Sequence, residues 1–172
     1  MLFVYFDIYK EMVDNEINLA GISKDNKVLH IGCGSIPASS ILLAKKSGNQ
    51  VTGIDIDARS VNQAKLCVLK SGVSDKVQII KADAKNFSID KFDIIIISQG
   101  IKKYKNVLEH IAKSMKSDAQ VIFRSSSLPG GDLTKNDLFL KDLFKVVKIV
   151  SQKKNALLIS VLLNKKSKLK TN

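Results

Sequence analysis

Five short β-branched runs recur along this chain, and stretches with helical spacing lie between them. The runs fall at Lys27–Ile31, 50–54, Val77–Lys81, 92–97 and 120–124, and the helical stretches at 38–46, 58–71 and 107–116. Such alternation commits a chain to a parallel sheet with helices on both faces. The run Ile94, Ile95, Ile96 and Ile97 is apolar on both sides, as a central parallel strand requires. After residue 124 the order changes. A helix is expected over 132–144, followed by runs at 146–150 and 156–163 with polar residues 151–155 between them. That spacing predicts an antiparallel hairpin. The whole is a seven-stranded, mostly parallel α/β sheet whose last strand runs antiparallel, with right-handed crossovers. Residues 3–19 carry an imperfect helical stripe of Phe3, Phe6, Ile8, Met12, Val13, Ile17 and Leu19. The expected organisation is a helix over 1–22 packed on the core, a ligand-binding domain over 23–164 and a basic tail over 165–172.

At 172 residues there is room for one core. The chain contains no run of 18 apolar residues to span a bilayer. Asp7 follows close on the apolar start, unlike a signal peptide. A soluble cytoplasmic protein is the expectation. Cys33 and Cys67 form no CxxC pair and cannot build a structural zinc site, so no metal is expected. The net charge of +12 raises the question of a polyanion. Of the 28 basic residues only Arg59 and Arg124 are Arg, the residue suited to bidentate phosphate and base recognition. The Lys excess reads as a solvated surface ending in Lys165, Lys166, Lys168 and Lys170. Nucleic acid is not the favoured partner.

The chemistry concentrates at KVLHIGCGSIP. A strand runs into Gly32, Cys33 and Gly34, and a helix opens after Pro37. Gly32 permits the turn out of the strand, and Gly34 admits close approach of a ligand to the backbone. The next strand ends on Asp55, placed to accept from ribose hydroxyls. The third ends in KADA, with Asp83 placed to accept from an adenine amino group. These strand ends converge on one crevice and point to an adenine nucleoside. Pro37 stands where a dinucleotide fingerprint has its third glycine, which weighs against NAD and FAD. The pattern GxxxxGK[ST] is absent, which weighs against ATP and GTP hydrolysis.

VLHIGCG, GIDID and KADA resemble the glycine, acidic and adenine motifs of class I S-adenosylmethionine-dependent methyltransferases. The resemblance implies a Rossmann-like fold and S-adenosylmethionine as cofactor. It places the cofactor on Gly32, Cys33, Gly34, Ser35, Asp55, Ile56, Asp83, Ala84, Ser98 and Gln99. His30 stands where that superfamily usually has an acidic residue, and reads as a buried, hydrogen-bonded side chain. GCGSIPASSILLA, VIFRSS and the N-terminal FVYFDIYKEMVDNE are similar to segments of the nicotianamine synthases, over about residues 3–164. Tyr5, Tyr9 and Glu16 fall on matching positions. Those enzymes transfer an aminocarboxypropyl group and carry a further helical domain ahead of this region.

The favoured expectation is methyl transfer to a small-molecule acceptor. The alternatives are aminocarboxypropyl transfer, or a non-catalytic cofactor-binding subunit that docks RNA or an acidic partner. Tyr5 and Tyr9 share a helix face and are the catalytic candidates. Ser98 and Gln99 could also face an acceptor. Arg124 could bind an acceptor carboxylate, or pair with a nearby Asp. Tyr104 and His110 read as surface residues.

Overall fold

The computed structural model describes residues 2–126, 138–153 and 158–166, without the side chains of residues 2–5 and 8. Helix α1 (Leu2–Ala20) leads into a repeating pattern: β1 (Lys27–Ile31), α2 (Ala38–Ser47), β2 (Gln50–Asp55), α3 (Ala58–Lys70), β3 (Val77–Lys81), β4 (Ile94–Ile97), α4 (Tyr104–Ser114) and β5 (Gln120–Ser126). A short α5 (Leu138–Leu143) precedes β6 (Phe144–Ser151) and β7 (Leu158–Lys165). One seven-stranded sheet has the order β3-β2-β1-β4-β5-β7-β6. The first five strands pair in parallel, and β7 lies antiparallel to both β5 and β6. This is the expected architecture.

Burial explains the layers. All four isoleucines of β4 are buried, so both faces of the sheet are covered. Leu29, Ile95, Val121 and Leu163 belong to the cluster beneath α4 and α5. Val28, Ile94, Ile96 and Ile122 belong to the cluster beneath α1, α2 and α3. Burying each such side chain contributes about 1.5–3 kcal/mol before the entropy of ordering it. Helix α3 is capped by Asp57, whose carboxylate accepts from the Ser60 N–H at 2.7 Å. Helix α2 has Pro37 at its cap and no side-chain cap bond, which leaves its first-turn N–H groups to other partners.

Some boundaries differ from the sequence reading. Helix α4 begins at Tyr104, not 107, and Tyr104 is no bare surface residue: its ring packs on Phe123 at 5.7 Å between centroids. His110 is held by the Phe87 carbonyl, 2.8 Å from its Nε2. Only the end of the helix expected over 132–144 falls within the described residues, and β6 already begins at Phe144, whose side chain is buried. Lys165 ends β7 and donates to the Met115 carbonyl at 2.7 Å, so it belongs to the sheet and not to a tail. Lys168 and Lys170 lie outside the described residues, as does the start of the 156–163 run.

Candidate functional site

β1 lies between β2 and β4, where the winding of the sheet reverses. Open α/β sheets bind ligands at this point, beyond the carboxyl ends of the strands. Gly32 and Gly34 both have left-handed backbone, with φ of 73° and 66°. A Cβ on Gly32 would come within 2.3 Å of Ile101 Cδ1, the movable end of a side chain, so it is the left-handed backbone that favours glycine there. Asp55 shapes this loop from the next strand. Its Oδ2 accepts from the Gly34 N–H at 2.9 Å and its Oδ1 from the Asp57 N–H at 3.0 Å. Each oxygen keeps a lone pair for a further donor.

Two cavities open on either side of the loop. The larger, about 520 Å³, is lined by the ends of four adjacent strands: Gly32, Asp55, Ile56, Asp83, Ala84 and Gln99, with Ile101 and Val107. Ile56 is 65% exposed, an apolar side chain open at the wall of this cavity. Asp83 accepts from the Lys85 N–H at 3.0 Å and faces Lys85 Nζ at 3.2 Å. The backbone N–H leads in holding its carboxyl below the usual carboxylate range, with the Lys85 ammonium adding to it. The structure thus brings together Gly32, Asp55, Ile56, Asp83, Ala84 and Gln99 around one cavity.

The smaller cavity, about 220 Å³, is lined by Tyr9, Met12, His30, Gly34, Ser39, Ser98, Arg124 and Leu158, and shares Gly32 and Gln99 with the first. Cys33 lines it too. Burial comes first in pushing its thiol up to about 12, with the Asp55 charge second, so it is an inert apolar residue. Ser35 contacts Cys67 instead, its carbonyl accepting from Sγ at 3.6 Å. Tyr9 reaches the cavity from α1. The Tyr5 side chain lies outside those described.

Arg124 is buried, and its fork is filled from within. Nε and Nη2 donate to Glu16 Oε1 and Oε2 at 2.8 and 2.7 Å. Ser160 Oγ donates to Glu16 at 2.7 Å and accepts from Gln152 Nε2 at 3.1 Å, and Asn15 Nδ2 donates to Gln152 Oε1 at 2.8 Å. This chain of bonds ties α1 to β5 and β7. The pairing role is the one the structure shows, with a glutamate as the partner instead of an aspartate; Glu16 takes the Nε–Nη2 edge of the guanidinium, and Nη1 has no part in that pair. Sequence reasoning did not include Glu16 among the site residues, because its partner is 108 positions away.

His30 is buried and bonded at both nitrogens, to Ser40 Oγ at 2.8 Å and Ser98 Oγ at 2.9 Å. Burial, and then the Arg124 charge, hold its pKa well below the ordinary value, so it is neutral. The Ser39 hydroxyl is buried on the wall of this cavity with no partner among the described residues. Among those residues no cluster of His, Cys, Asp and Glu could hold a metal ion, and no helix is long and apolar enough to cross a membrane.

Strand order, antiparallel end and glycine loop define the class I methyltransferase fold. The chain belongs to the nicotianamine synthase family: the family model described as "Nicotianamine synthase protein" matches residues 1–170. It is similar to the L-histidine 2-aminobutanoyltransferase of Pseudomonas aeruginosa (strain UCBPP-PA14), 29% identical over 125 residues, which are 72% of this chain and 47% of that protein. It is also similar to a probable cobalt-precorrin-6B C(15)-methyltransferase of Saccharolobus solfataricus, 37% identical over 92 residues, 51% of this chain and 46% of the other. The chain spans about half the length of these curated relatives. Among solved structures, MtNAS in complex with MTA and tNA superposes with a TM-score of 0.81 at 22% identity, covering 96% of this chain and 62% of that one. The mitomycin 7-O-methyltransferase MmcR gives 0.78 at 14%, covering 95% and 54%. At these identities the structural likeness concerns the fold.

Proposed function

We propose that this chain binds S-adenosylmethionine across the two cavities and transfers the cofactor's aminocarboxypropyl group to a small acceptor. The observation that carries the binding reading is the meeting of the cavities at Gly32 and Gln99. Adenosine suits the larger one, with Asp55 accepting from the ribose hydroxyls, Asp83 near the adenine amino group and Ile56 against the ring. The sulfur then falls at the junction, and the amino-acid tail enters the smaller cavity. The family membership and the Pseudomonas relative, which is named for transfer of an aminobutanoyl group, move the balance away from methyl transfer.

When bound, S-adenosylmethionine would supply a carbon already activated by its sulfonium for attack by an acceptor lone pair, and Gly32, Gly34, Asp55 and Asp83 would hold it. The protein's task is then to hold and align. Gly32 and Gly34 let the backbone close on the ligand, and α1 walls the acceptor side through Tyr9 and Met12. A phenol near a sulfonium is favourable through its ring face and can orient an amine through its oxygen. Tyr9→Phe should leave binding of S-adenosylhomocysteine nearly intact while lowering turnover.

The decisive experiment is incubation with S-adenosylmethionine and a panel of amino acids including L-histidine, followed by identification of the nucleoside product. Methylthioadenosine is expected. S-adenosylhomocysteine would reverse the choice in favour of methyl transfer, the reading that the Saccharolobus relative supports.

A further inference from the structure

Ser98 stands at the passage between the two cavities. A Cβ built on Gly32 would lie 3.4 Å from Ser98 Cβ, so the serine flanks the junction itself. We propose that Ser98, held by His30, is the hydrogen-bond acceptor for the α-ammonium of S-adenosylmethionine, with His30 a positioning residue for it. This rests on the cofactor reading above.

The argument begins with charge. The tail of S-adenosylmethionine is a zwitterion, and its ammonium needs oxygen acceptors. Among the described residues lining the smaller cavity there is no Asp or Glu. Glu16 is near but wholly buried, and its oxygens take hydrogen bonds from Arg124 and Ser160. An ammonium there must therefore be met by neutral oxygens. The donors that the tail's carboxylate requires are present in the uncapped first turn of α2 and in the unpartnered Ser39 hydroxyl.

A serine hydroxyl is ordinarily a free rotor that donates as readily as it accepts. Here one atom fixes it. A neutral imidazole carries one N–H and one lone pair. Both ring partners are hydroxyls that can donate or accept, and we take the tautomer in which Nδ1–H is donated to Ser40 Oγ and Nε2 accepts the Ser98 hydroxyl hydrogen. The hydrogen of Ser98 is then turned inward, and its lone pairs face the cavity. Ser40 is wholly buried on α2, so the imidazole is anchored from behind and Ser98 does not drift. His30 gives an uncharged relay at the end of β1 that presents an acceptor without burying a carboxylate beside Arg124.

The test uses two probes that share adenosine and sulfur and differ in the tail: S-adenosylhomocysteine, which has it, and 5′-methylthioadenosine, which lacks it. Calorimetry on the full chain should show that Ser98→Ala lowers affinity for S-adenosylhomocysteine about tenfold, the size of one charge-assisted hydrogen bond, while methylthioadenosine changes less than about twofold. His30→Leu should shift the same ratio in the same direction, and the double variant should be no worse than the worse single. A merely structural role would weaken both probes together. Equal losses on both, or no loss on S-adenosylhomocysteine, overturn the proposal and leave the cofactor reading standing. If the unaltered chain binds neither probe, the cofactor reading itself falls and this falls with it. Ser98→Ala decides the matter even if His30→Leu fails to fold.

Discussion

The two cavities that meet at Gly32 are built by opposite means. The larger is made of neighbouring strand ends, and its carboxylates are tied to backbone N–H groups of the loops beside them. Asp55 accepts from the backbone of residues 34 and 57, and Asp83 from that of residue 85. Those carboxylates keep lone pairs and solvent contact. The smaller cavity draws on α1, β1, α2, β4, β5 and β7, and Arg124 in its wall is buried and bound to Glu16, which also takes Ser160, across 108 and 144 positions. A wall assembled from distant segments needs its polar groups as ties, whereas a wall of strand ends already has backbone pairing and leaves its carboxylates for a ligand.

The contrast is broken most directly by removing one tie. Glu16→Ala leaves the Arg124 guanidinium buried without a partner. Breaking a buried pair in this way costs about 3–5 kcal/mol. Asp83→Ala, on the other cavity, loses a partly exposed contact with Lys85 Nζ and the hydrogen bond from the Lys85 N–H, and should cost about 1 kcal/mol. Urea denaturation of both variants checks the difference. If Glu16→Ala is no more damaging than Asp83→Ala, the wall of the smaller cavity is not held by that pair.

Ligand affinity should show the reverse order. Asp55→Ala removes the acceptor proposed for both ribose hydroxyls and should weaken S-adenosylhomocysteine and methylthioadenosine alike, by about 2–4 kcal/mol. Asp55→Asn keeps one acceptor oxygen and should fall between. Unchanged affinity in Asp55→Ala would remove the ribose assignment.

The sequence was legible where function and chain order coincide. Gly32, Asp55 and Asp83 each sit at a strand end, so a reader who places the strands has placed the rim of the larger cavity. The sheet followed from its apolar runs for the same reason, down to the antiparallel hairpin. The second cavity was not legible. Glu16 interrupts the apolar stripe of α1, and although it falls on a matching family position, nothing local ties it to Arg124. Ser40 looks like an ordinary helix serine, and nothing local ties it to His30 or Ser98. Tyr104 and His110 were misplaced likewise, since their partners Phe123 and Phe87 lie on other elements.

A pH series sharpens the comparison next, because only the smaller cavity has a neutral histidine in its wall. Ser40, Ser98 and Arg124 surround it, and Glu16 lies behind Arg124. His30 has a folded pKa depressed below its unfolded value of about 6.5. Its contribution is therefore complete above about pH 6.5 and is lost as pH falls from there toward the folded value. The fold should lose about 1.4 kcal/mol per pH unit over that window from this one group. His30→Gln, which does not titrate, should remove that slope. Denaturation midpoints measured between pH 7.5 and 5 in both proteins test it, and parallel curves would mean that His30 is not held neutral.

The smallest effect is expected at Ser39, and its sign carries the information. Its hydroxyl is buried on α2 and has no partner among the described residues. A buried hydroxyl left unbonded costs free energy, so removing it costs nothing and can even stabilise. Ser39→Ala should thus raise stability by up to about 1 kcal/mol, or leave it unchanged. Alanine is also the better residue in a helix, which acts in the same direction. If the hydroxyl is there for a tail carboxylate, the same variant should bind S-adenosylhomocysteine less well and methylthioadenosine as before. A more stable protein with a poorer grip on the tail would mark Ser39 as a group kept for its ligand. A less stable one would mean that the hydroxyl has a structural partner and that the smaller cavity is bound up internally at this residue as well.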